Sequence, residues 1–206
     1  MTTLFIARHG QTDWNHEHRW QGWADPPLNA AGREQALELG EALAQRGIEV
    51  VVSSDLRRAA ETAEIAAARF GLPVELDARL REVDVGEWSG LTSAEVEARY
   101  PEGYAHRRAG RTGWEHGEEL GTMAKRVVTS LLEIAAHHRG QRVLVVTHGG
   151  PVRATLAACG VDMRTAPGVA NGDVEEIAVR DGQMRRIHST RGGLHQQVHR
   201  LSNDAG

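Results

Sequence analysis

The stretch LFIARHGQTDWN, residues 4–15, begins with an uninterrupted apolar run and becomes polar at an arginine, a histidine and a glycine. Residues 50–53 and 143–147 are β-branched runs of the same kind, and the second of them also ends at a histidine followed by glycine. Continuous apolar runs of this length are typical of strands buried on both faces. We therefore predict a sheet that lies inside the protein.

Segments of helical periodicity lie between these strands. In the first of them Asn29 is a candidate N-cap and Gly47 a stop signal. The alternation of strand and helix predicts an α/β fold, a three-layer α/β/α sandwich with a mainly parallel central sheet. The remaining predicted elements are helices at residues 28–47, 56–70 and 119–137 and two strands, 174–180 and 184–188, that flank an Asp-Gly turn.

Residues 83–117 lack this regularity and are rich in glycine. We predict that they form loops and one short helix, residues 93–99, as a small cap on one edge of the sheet. After about residue 189 the apolar periodicity is lost, so residues 191–206 are expected to be a loosely packed tail. The predicted organisation is one domain, residues 1–190, followed by that tail.

Composition limits the classes of function. The 206 residues are 40% hydrophobic and 25% charged, as in soluble globular proteins, and no apolar run or signal peptide indicates a membrane. The single cysteine, Cys159, excludes an internal disulfide and fits a reducing compartment. A net charge of -4 gives no general attraction for nucleic acid. We expect a cytoplasmic protein with neither a membrane nor a nucleic acid as partner.

His9 and His148 each follow a predicted strand and precede a glycine. A single histidine in such a place is more often structural than functional. Ligands of open parallel sheets, however, bind beyond the carboxyl ends of the strands, so both side chains could line one crevice. Gly10 and Gly149 would let the backbone turn sharply and approach a ligand closely. The pair therefore favours a functional site over two packed histidines.

Two further segments carry candidate groups. Arg57 and Arg58 open the helix after the second strand, where a helix N-terminus favours anions, and their spacing leaves open which one enters the crevice. Glu82 lies among apolar residues and glycines, and a partly desolvated carboxyl group in a cleft can act as an acid or base. Asp84 and Glu87 are close by and look similar.

Six short motifs occur in order along the chain and together resemble those of a known family. They resemble the motif set of the histidine phosphatase superfamily, in its phosphoglycerate-mutase-like branch, over about residues 4–188. The Arg-His-Gly triplet alone is weak evidence, whereas six ordered motifs are specific. The motifs are Arg8-His9-Gly10, Asn15, Gln21-Gly22, Ser54-Asp55-Leu56-Arg57-Arg58-Ala59, Leu80-Arg81-Glu82 and Thr147-His148-Gly149.

The resemblance implies a role for each matching residue. His9 matches the nucleophile that becomes phosphorylated, and Glu82 matches the proton donor that later serves as base. Arg8, Arg58 and His148 match the cationic pocket around the phosphoryl group, which favours Arg58 over Arg57. The residues implied at the rest of the substrate are Asn15, Gln21, Gly22, Gly149, Arg107 and Arg108.

These roles agree with the chemistry of phosphoryl transfer, which needs an in-line nucleophile and positive charge around the phosphoryl oxygens. A histidine offers an unprotonated nitrogen at neutral pH, provided that its other nitrogen donates to a fixed acceptor such as a backbone carbonyl. Arginines bind phosphate without a metal, so no cofactor is expected. Metal sites at His16 and His18 or at His195 and His199 lack cysteine or carboxylate ligands at suitable spacing.

Hydrolase and mutase share these central residues. The segment 100–119 is short and has one proline, which predicts a small cap, a wetter site and hydrolysis. Arg107 and Arg108 instead resemble a mutase pair that holds a second anionic group, but they could equally bind the acid group of a phosphatase substrate or face solvent. Gly117-Glu118 looks like part of a Gly-Gly-Glu-Ser phosphatase motif, from which His116 and Glu119 depart.

We therefore predict a phosphomonoesterase that acts on a small phosphorylated metabolite through a phosphohistidine. A 2,3-bisphosphoglycerate-dependent phosphoglycerate mutase is the alternative. A non-catalytic phosphate-binding protein is disfavoured, because every central residue is present. Trp20 and Trp23 could either wall the pocket or anchor loops, and an exposed sheet edge could support a homodimer.

Overall fold

The computed structural model describes residues 1–166 and 168–190. Its strands are β1 (Thr2–Arg8), β2 (Val50–Ser53), β3 (Val74–Leu76), β4 (Arg142–Thr147), β5 (Val174–Arg180) and β6 (Gln183–Thr190). Within the described residues they form a six-stranded sheet in the order β3-β2-β4-β1-β5-β6. The first four of these run parallel, whereas β5 and β6 are antiparallel to their neighbours. The predicted mainly parallel sheet is confirmed.

Successive residues of a strand point to opposite faces of the sheet. Both faces of this sheet are apolar, and helices cover both of them. In β1, Leu4 and Ile6 belong to one hydrophobic cluster and Phe5 and Ala7 to the other. The helices that supply the rest of these clusters are α2 (Ala30–Leu43) and α3 (Arg57–Ala68) on the Phe5 side, and α6 (Leu120–His137) and α7 (Gly149–Ala158) on the Leu4 side. The result is the predicted three-layer arrangement.

Local signals in the sequence explain where α2 begins and ends. The side chain of Asn29 accepts a hydrogen bond from the N–H of Gly32, as an N-cap does. A single 3₁₀ turn, Ala44–Arg46, follows the helix, and Gly47 ends it at a φ of 62°, in the left-handed region that glycine tolerates. Both sequence-based assignments are confirmed.

Several short elements differ from the prediction. The cap holds two helices, α4 (Ser93–Arg99) and α5 (Pro101–Arg108), instead of one, because Pro101 stands at the first turn of α5, where its missing N–H costs nothing. Helix α7 was not predicted, because it opens with two glycines and a proline. The four-residue helix α1 (Asp13–His16) and the three-residue strand β3 were not predicted either.

The predicted tail, residues 191–206, lies outside the described residues. In the part of the chain that is described, no helix is long and apolar enough to span a membrane.

Candidate active site

The two candidate histidines meet at the carboxyl edge of the sheet. β1 and β4 are parallel neighbours, and the N–H of His9 donates to the carbonyl of Thr147 at 2.9 Å. Each histidine directly follows its strand, and the ring centroids of His9 and His148 are 5.1 Å apart. Parallel pairing therefore brings together two residues that are 139 positions apart in the sequence.

The hydrogen bonds of the His9 ring fix which nitrogen carries the proton. Nδ1 lies 2.6 Å from the carbonyl oxygen of Gly10 and donates to it, while Nε2 accepts from Nε of Arg58 at 3.3 Å. Burial lowers the pKa of His9 well below its ordinary value, and the charges of Arg58 and Arg8 lower it further. The ring is therefore neutral and carries its lone pair on Nε2, as a nucleophile requires.

Gly10 allows the loop after His9 to pass close to the start of α2. A Cβ at this position would lie 2.3 Å from the carbonyl oxygen of Gly32, at the start of α2. No other residue fits without moving the loop, which accounts for the glycine after the histidine.

Arg58 is the buried arginine of the pair at the start of α3, and Arg57 is exposed. Nη1 of Arg58 donates to the carbonyl of Ala24 at 2.7 Å, and Nη2 of Arg58 donates to the carbonyl of Gly22 at 2.8 Å. Burial lowers the pKa of Arg58 to about 10, with Glu82 and Asp25 opposing and Arg8 assisting, so the group stays charged at neutral pH. The choice that spacing left open is settled geometrically in favour of Arg58.

Arg8 supplies a second guanidinium next to His9. Its Nη1 donates to the carbonyl of Val169 at 2.6 Å, and its Nε is buried without a hydrogen-bond partner among the described residues. Burial lowers its pKa, while Glu82 and Asp173 act in the opposite direction. A buried donor without a partner is costly, so an anion next to Arg8 would be stabilised.

His148 is fully buried at the N-cap position of α7. Its Nε2 lies 2.8 Å from Oγ of Ser54, and its Nδ1 is buried without a partner in the described structure. Burial lowers the pKa of His148 well below its ordinary value, and Arg58 is the next contribution. His148 is therefore neutral and acts as a hydrogen-bonding group.

Glu82 is held by backbone groups on both sides of its carboxylate. Oε1 accepts from the N–H of Val83 at 2.9 Å, and Oε2 accepts from the N–H of Gly150 at 3.1 Å. A Cβ on Gly150 would lie 2.2 Å from Oε1, so this glycine is required for the contact. The Glu82 carbonyl also accepts from Trp23 and Arg126, both at 2.8 Å, which fixes the segment that carries the acid.

Two of these supporting residues were not identified from the sequence. Gly150 stands directly after the matched Thr-His-Gly motif, so its position was a usable signal. Arg126 lies in the middle of α6, and only its contacts with Glu118 and with carbonyls near Glu82 reveal its role.

A cavity of about 520 Å³ is lined by Arg8, His9, Arg58 and Glu82, whereas the buried His148 is not among its lining residues. Of the residues implied at the substrate, Asn15, Gln21, Gly22 and Arg107 line it, and Gly149 lies against Arg8 at the start of α7. Arg108 is exposed and is not among the lining residues. The structure thus separates the two adjacent arginines that sequence analysis treated together.

A second cationic part of the cavity combines Arg107 from α5 with Arg153 from α7. Arg153 was not identified from the sequence. The Arg107 guanidinium lies 6.0 Å from the ring centroid of Trp20, and its Nε is buried without a partner among the described residues. Burial lowers the pKa of Arg107, and the charge of Arg153 lowers it further. Trp20, Leu120 and Met123 add apolar surface beside the arginines.

The other candidate groups have different surroundings. Trp23 is 43% exposed and does not line the cavity, whereas Trp20 does. Glu17, between His16 and His18, is paired with Arg19 at 2.6 Å. Across the described ranges no cluster of three metal-ligating side chains is found, and His195 and His199 lie outside those ranges.

The partial phosphatase motif in the cap is structural. A Cβ on Gly117 would lie 2.5 Å from the Asp84 carbonyl oxygen, and Glu118 is paired with Arg126 at 2.7 Å. The side chain of His116 is 84% exposed, and neither His116 nor Glu119 lines the cavity. The two departures from the motif therefore lie away from the cavity.

Comparison with known proteins gives one consistent family. The model of the histidine phosphatase superfamily (branch 1) matches residues 4–190. Phosphoglycerate mutase-like protein 4 of Arabidopsis thaliana is 39% identical over 184 residues, 87% of this chain and 80% of that protein. Glucosyl-3-phosphoglycerate phosphatase of Mycolicibacterium vanbaalenii is 40% identical over 163 residues, 75% of this chain and 72% of that protein.

A solved structure agrees with these relatives. The fold of YhfR from Bacillus stearothermophilus superposes with a TM-score of 0.86 at 30% sequence identity, covering 94% of this chain and 100% of that chain.

Proposed function

This chain belongs to the histidine phosphatase superfamily and is a phosphomonoesterase, and we propose that it works through a phosphohistidine formed at Nε2 of His9. The observation that carries the proposal is the pair of hydrogen bonds on the His9 ring. Nδ1 donates to Gly10, and the lone pair of Nε2 faces the Arg58 guanidinium, with the charge of Arg8 also acting on the ring. That arrangement supplies the nucleophile and the positive charge that phosphoryl transfer requires.

The first half of the reaction transfers the phosphoryl group to the enzyme. The lone pair of Nε2 attacks phosphorus, and the bond between phosphorus and the ester oxygen breaks. Glu82 in its acid form gives a proton to the leaving oxygen, which departs as an alcohol. Arg8 and Arg58 neutralise the charge on the equatorial oxygens.

The second half releases inorganic phosphate. Glu82, now a carboxylate, takes a proton from water as the water oxygen attacks the phosphohistidine. The bond between phosphorus and Nε2 breaks, and its electron pair returns to the His9 ring. Val83 and Gly150 hold the two carboxylate oxygens in place, so the same group is positioned for both half-reactions.

The substrate that fits the cavity is a small phosphorylated metabolite with a second anionic group. Arg107 and Arg153 repel each other, and neither is in an ion pair within the described part of the chain. A carboxylate or second phosphate would remove that repulsion, and Trp20 offers a face for an apolar or ring portion.

A phosphohistidine trap tests the mechanism. Brief mixing with a ³²P-labelled phosphomonoester, followed by denaturation, should yield a protein label that is stable to alkali and lost in acid, as phosphohistidine is. The His9→Ala variant should take up no label and release no phosphate, while its circular dichroism remains that of the parent. Turnover in this variant at the parental rate would overturn the proposal.

A mutase is the second candidate, because one of the relatives is named a phosphoglycerate mutase-like protein. The two activities separate on 3-phosphoglycerate with and without 2,3-bisphosphoglycerate. The phosphatase releases phosphate in either case. Interconversion that the bisphosphate stimulates, without comparable phosphate release, would identify a mutase instead.

A further inference from the structure

Ser54 lies within hydrogen-bond distance of the His148 ring. In the sequence Ser54 is the first residue of one of the six motifs, with no role of its own, and it is fully buried in the structure. Its Oγ has two neighbours at hydrogen-bond distance, the N–H of Leu56 at 3.3 Å and Nε2 of His148 at 2.8 Å. A backbone N–H can only donate, so Oγ accepts from Leu56.

The hydroxyl hydrogen of Ser54 then has one acceptor available. Among the described residues the remaining neighbour of Oγ is Nε2 of His148, and burial keeps water away. If Nε2 carried a proton instead, it would donate to Ser54, and the hydroxyl hydrogen would be buried with no acceptor. Leaving a buried donor unsatisfied is unfavourable, so the arrangement selects the lone pair on Nε2 and the proton on Nδ1.

We propose that Ser54 is a positioning residue that holds the neutral His148 ring in the Nδ1–H form, so that Nδ1 donates a hydrogen bond to the phosphoryl group transferred to and from His9. Nδ1 of His148 is buried, has no partner within the described structure, and belongs to a ring 5.1 Å from that of His9. In the other form a lone pair would face the phosphoryl oxygens and repel them. This inference rests on the proposed function of His9.

The charges around His148 explain why the form of the ring matters. Arg58, Arg8 and Arg126 lie within electrostatic range, and together with burial they keep the ring unprotonated. A neutral imidazole has a single N–H, so His148 can donate to phosphate only if that hydrogen is on the correct nitrogen. A positively charged ring would need no such selection.

Nuclear magnetic resonance of the ¹⁵N-histidine-labelled protein tests the assignment directly, since protonated and unprotonated ring nitrogens have widely separated shifts. His148 signals are identified by their loss in His148→Asn. We expect an Nδ1-bound proton in the parent protein, and we expect its resonance to move downfield when inorganic phosphate is added. An Nε2-bound proton, or no response to saturating phosphate, would overturn the proposal.

Variants test the consequence for turnover. Ser54→Ala should mix the two ring forms and lower kcat by about 10-fold, the effect of one lost orienting hydrogen bond. In a His148→Asn background the same change should cost less than about 2-fold, because the ring through which Ser54 acts is gone. Equal losses in both backgrounds would contradict the proposal.

Ser53→Ala is the matched control. Ser53 is also fully buried, and its hydroxyl donates to the carbonyl of Ser54 at 2.9 Å without contacting His148. It should leave the ring form unchanged. The ring form of His148 is measured in the resting protein, so the measurement tests the role of Ser54 even if the phosphohistidine trap on His9 fails. Failure of one proposal can therefore be told apart from failure of the other.

Discussion

Two groups of side chains that can bind an anion lie at the same cavity but are held in different ways. In the buried cluster of Arg8, His9, Arg58 and His148, each side chain has at least one hydrogen bond to the backbone or to a buried side chain. In the arginine pair, Arg107 and Arg153 come from different helices and are half-buried. There, the one hydrogen bond within the described structure runs from Arg153 to the carbonyl of Met163 at 3.2 Å.

This difference divides the work of the site. The buried cluster has its donors fixed before a substrate arrives, so it can stabilise charge that develops in the transition state. The arginine pair repels itself until an anion binds, so it contributes to substrate affinity and selectivity. Changes in the cluster should therefore lower kcat, and changes in the pair should raise KM.

Among substitutions that keep the size of the side chain, the largest effect should come from Glu82→Gln, which removes the acid. We expect kcat for an alkyl phosphate to fall by about 10³-fold, as for loss of a general acid–base. The fall should be smaller for an aryl phosphate, whose leaving group needs no proton. Steady-state kinetics on both substrates measures the ratio.

The neighbouring carboxylate provides the control for that experiment. Asp84 looked equivalent to Glu82 in the sequence, but its side chain accepts from the N–H of Gly86 and does not line the cavity. Asp84→Asn should leave kcat within about 3-fold. Equal losses for the two variants would place the acid elsewhere.

Arg58→Lys should have the next largest effect. A lysine keeps the charge but cannot bond Ala24, Gly22 and His9 together with one planar group. We expect kcat to fall by about 10²-fold, the typical effect of one misplaced charge-stabilising donor. Arg57→Lys is the matched control, since Arg57 is exposed, and its kcat should stay close to that of the parent.

How far the sequence predicts the fold depends on the length and burial of each element. The long apolar runs predict β1, β2 and β4, because two-sided burial leaves a continuous pattern. Strand β3 has three residues at the sheet edge and leaves too little pattern to detect. Helix α7 opens with Gly149, Gly150 and Pro151, a sequence typical of a turn. Only the contact between Gly150 and Glu82 shows why a glycine stands there in a helix.

The site shows the same limit. His9 and His148 were predictable because parallel strands bring their ends to one edge, a rule that needs no side-chain detail. The separation of Arg107 from Arg108 depends on the rotation of α5, and the role of Arg153 depends on how α7 faces the cap. Both follow from packing between elements that are distant in sequence, and short motifs carry no information about that packing.

The buried cluster should also make stability depend on pH. His9 and His148 have folded-state pKa values well below their ordinary value, so the unfolded chain binds more protons below about pH 6.5. Stability is therefore present above that pH and is lost as the pH falls. The slope for the two together should approach about 2.7 kcal/mol per pH unit.

Urea unfolding between pH 7.5 and 5.5 measures this slope, and His9→Asn should reduce it by about half. A parent protein whose stability stays constant over this range would show that the two rings are not buried as neutral groups.

The smallest effect should come from the arginine pair. The test compares Arg107, which lines the cavity, with its neighbour Arg108, which does not. Arg107→Ala should raise KM about 10-fold for a phosphomonoester that carries a second anionic group, through loss of one charged contact. For a matched monoester without that group, KM should change little, because nothing faces Arg107. Arg108→Ala should leave both values near those of the parent, since Arg108 is exposed outside the cavity. Equal effects of the two variants, or a loss in kcat alone, would erase the distinction between a cluster that performs the chemistry and a pair that selects the substrate.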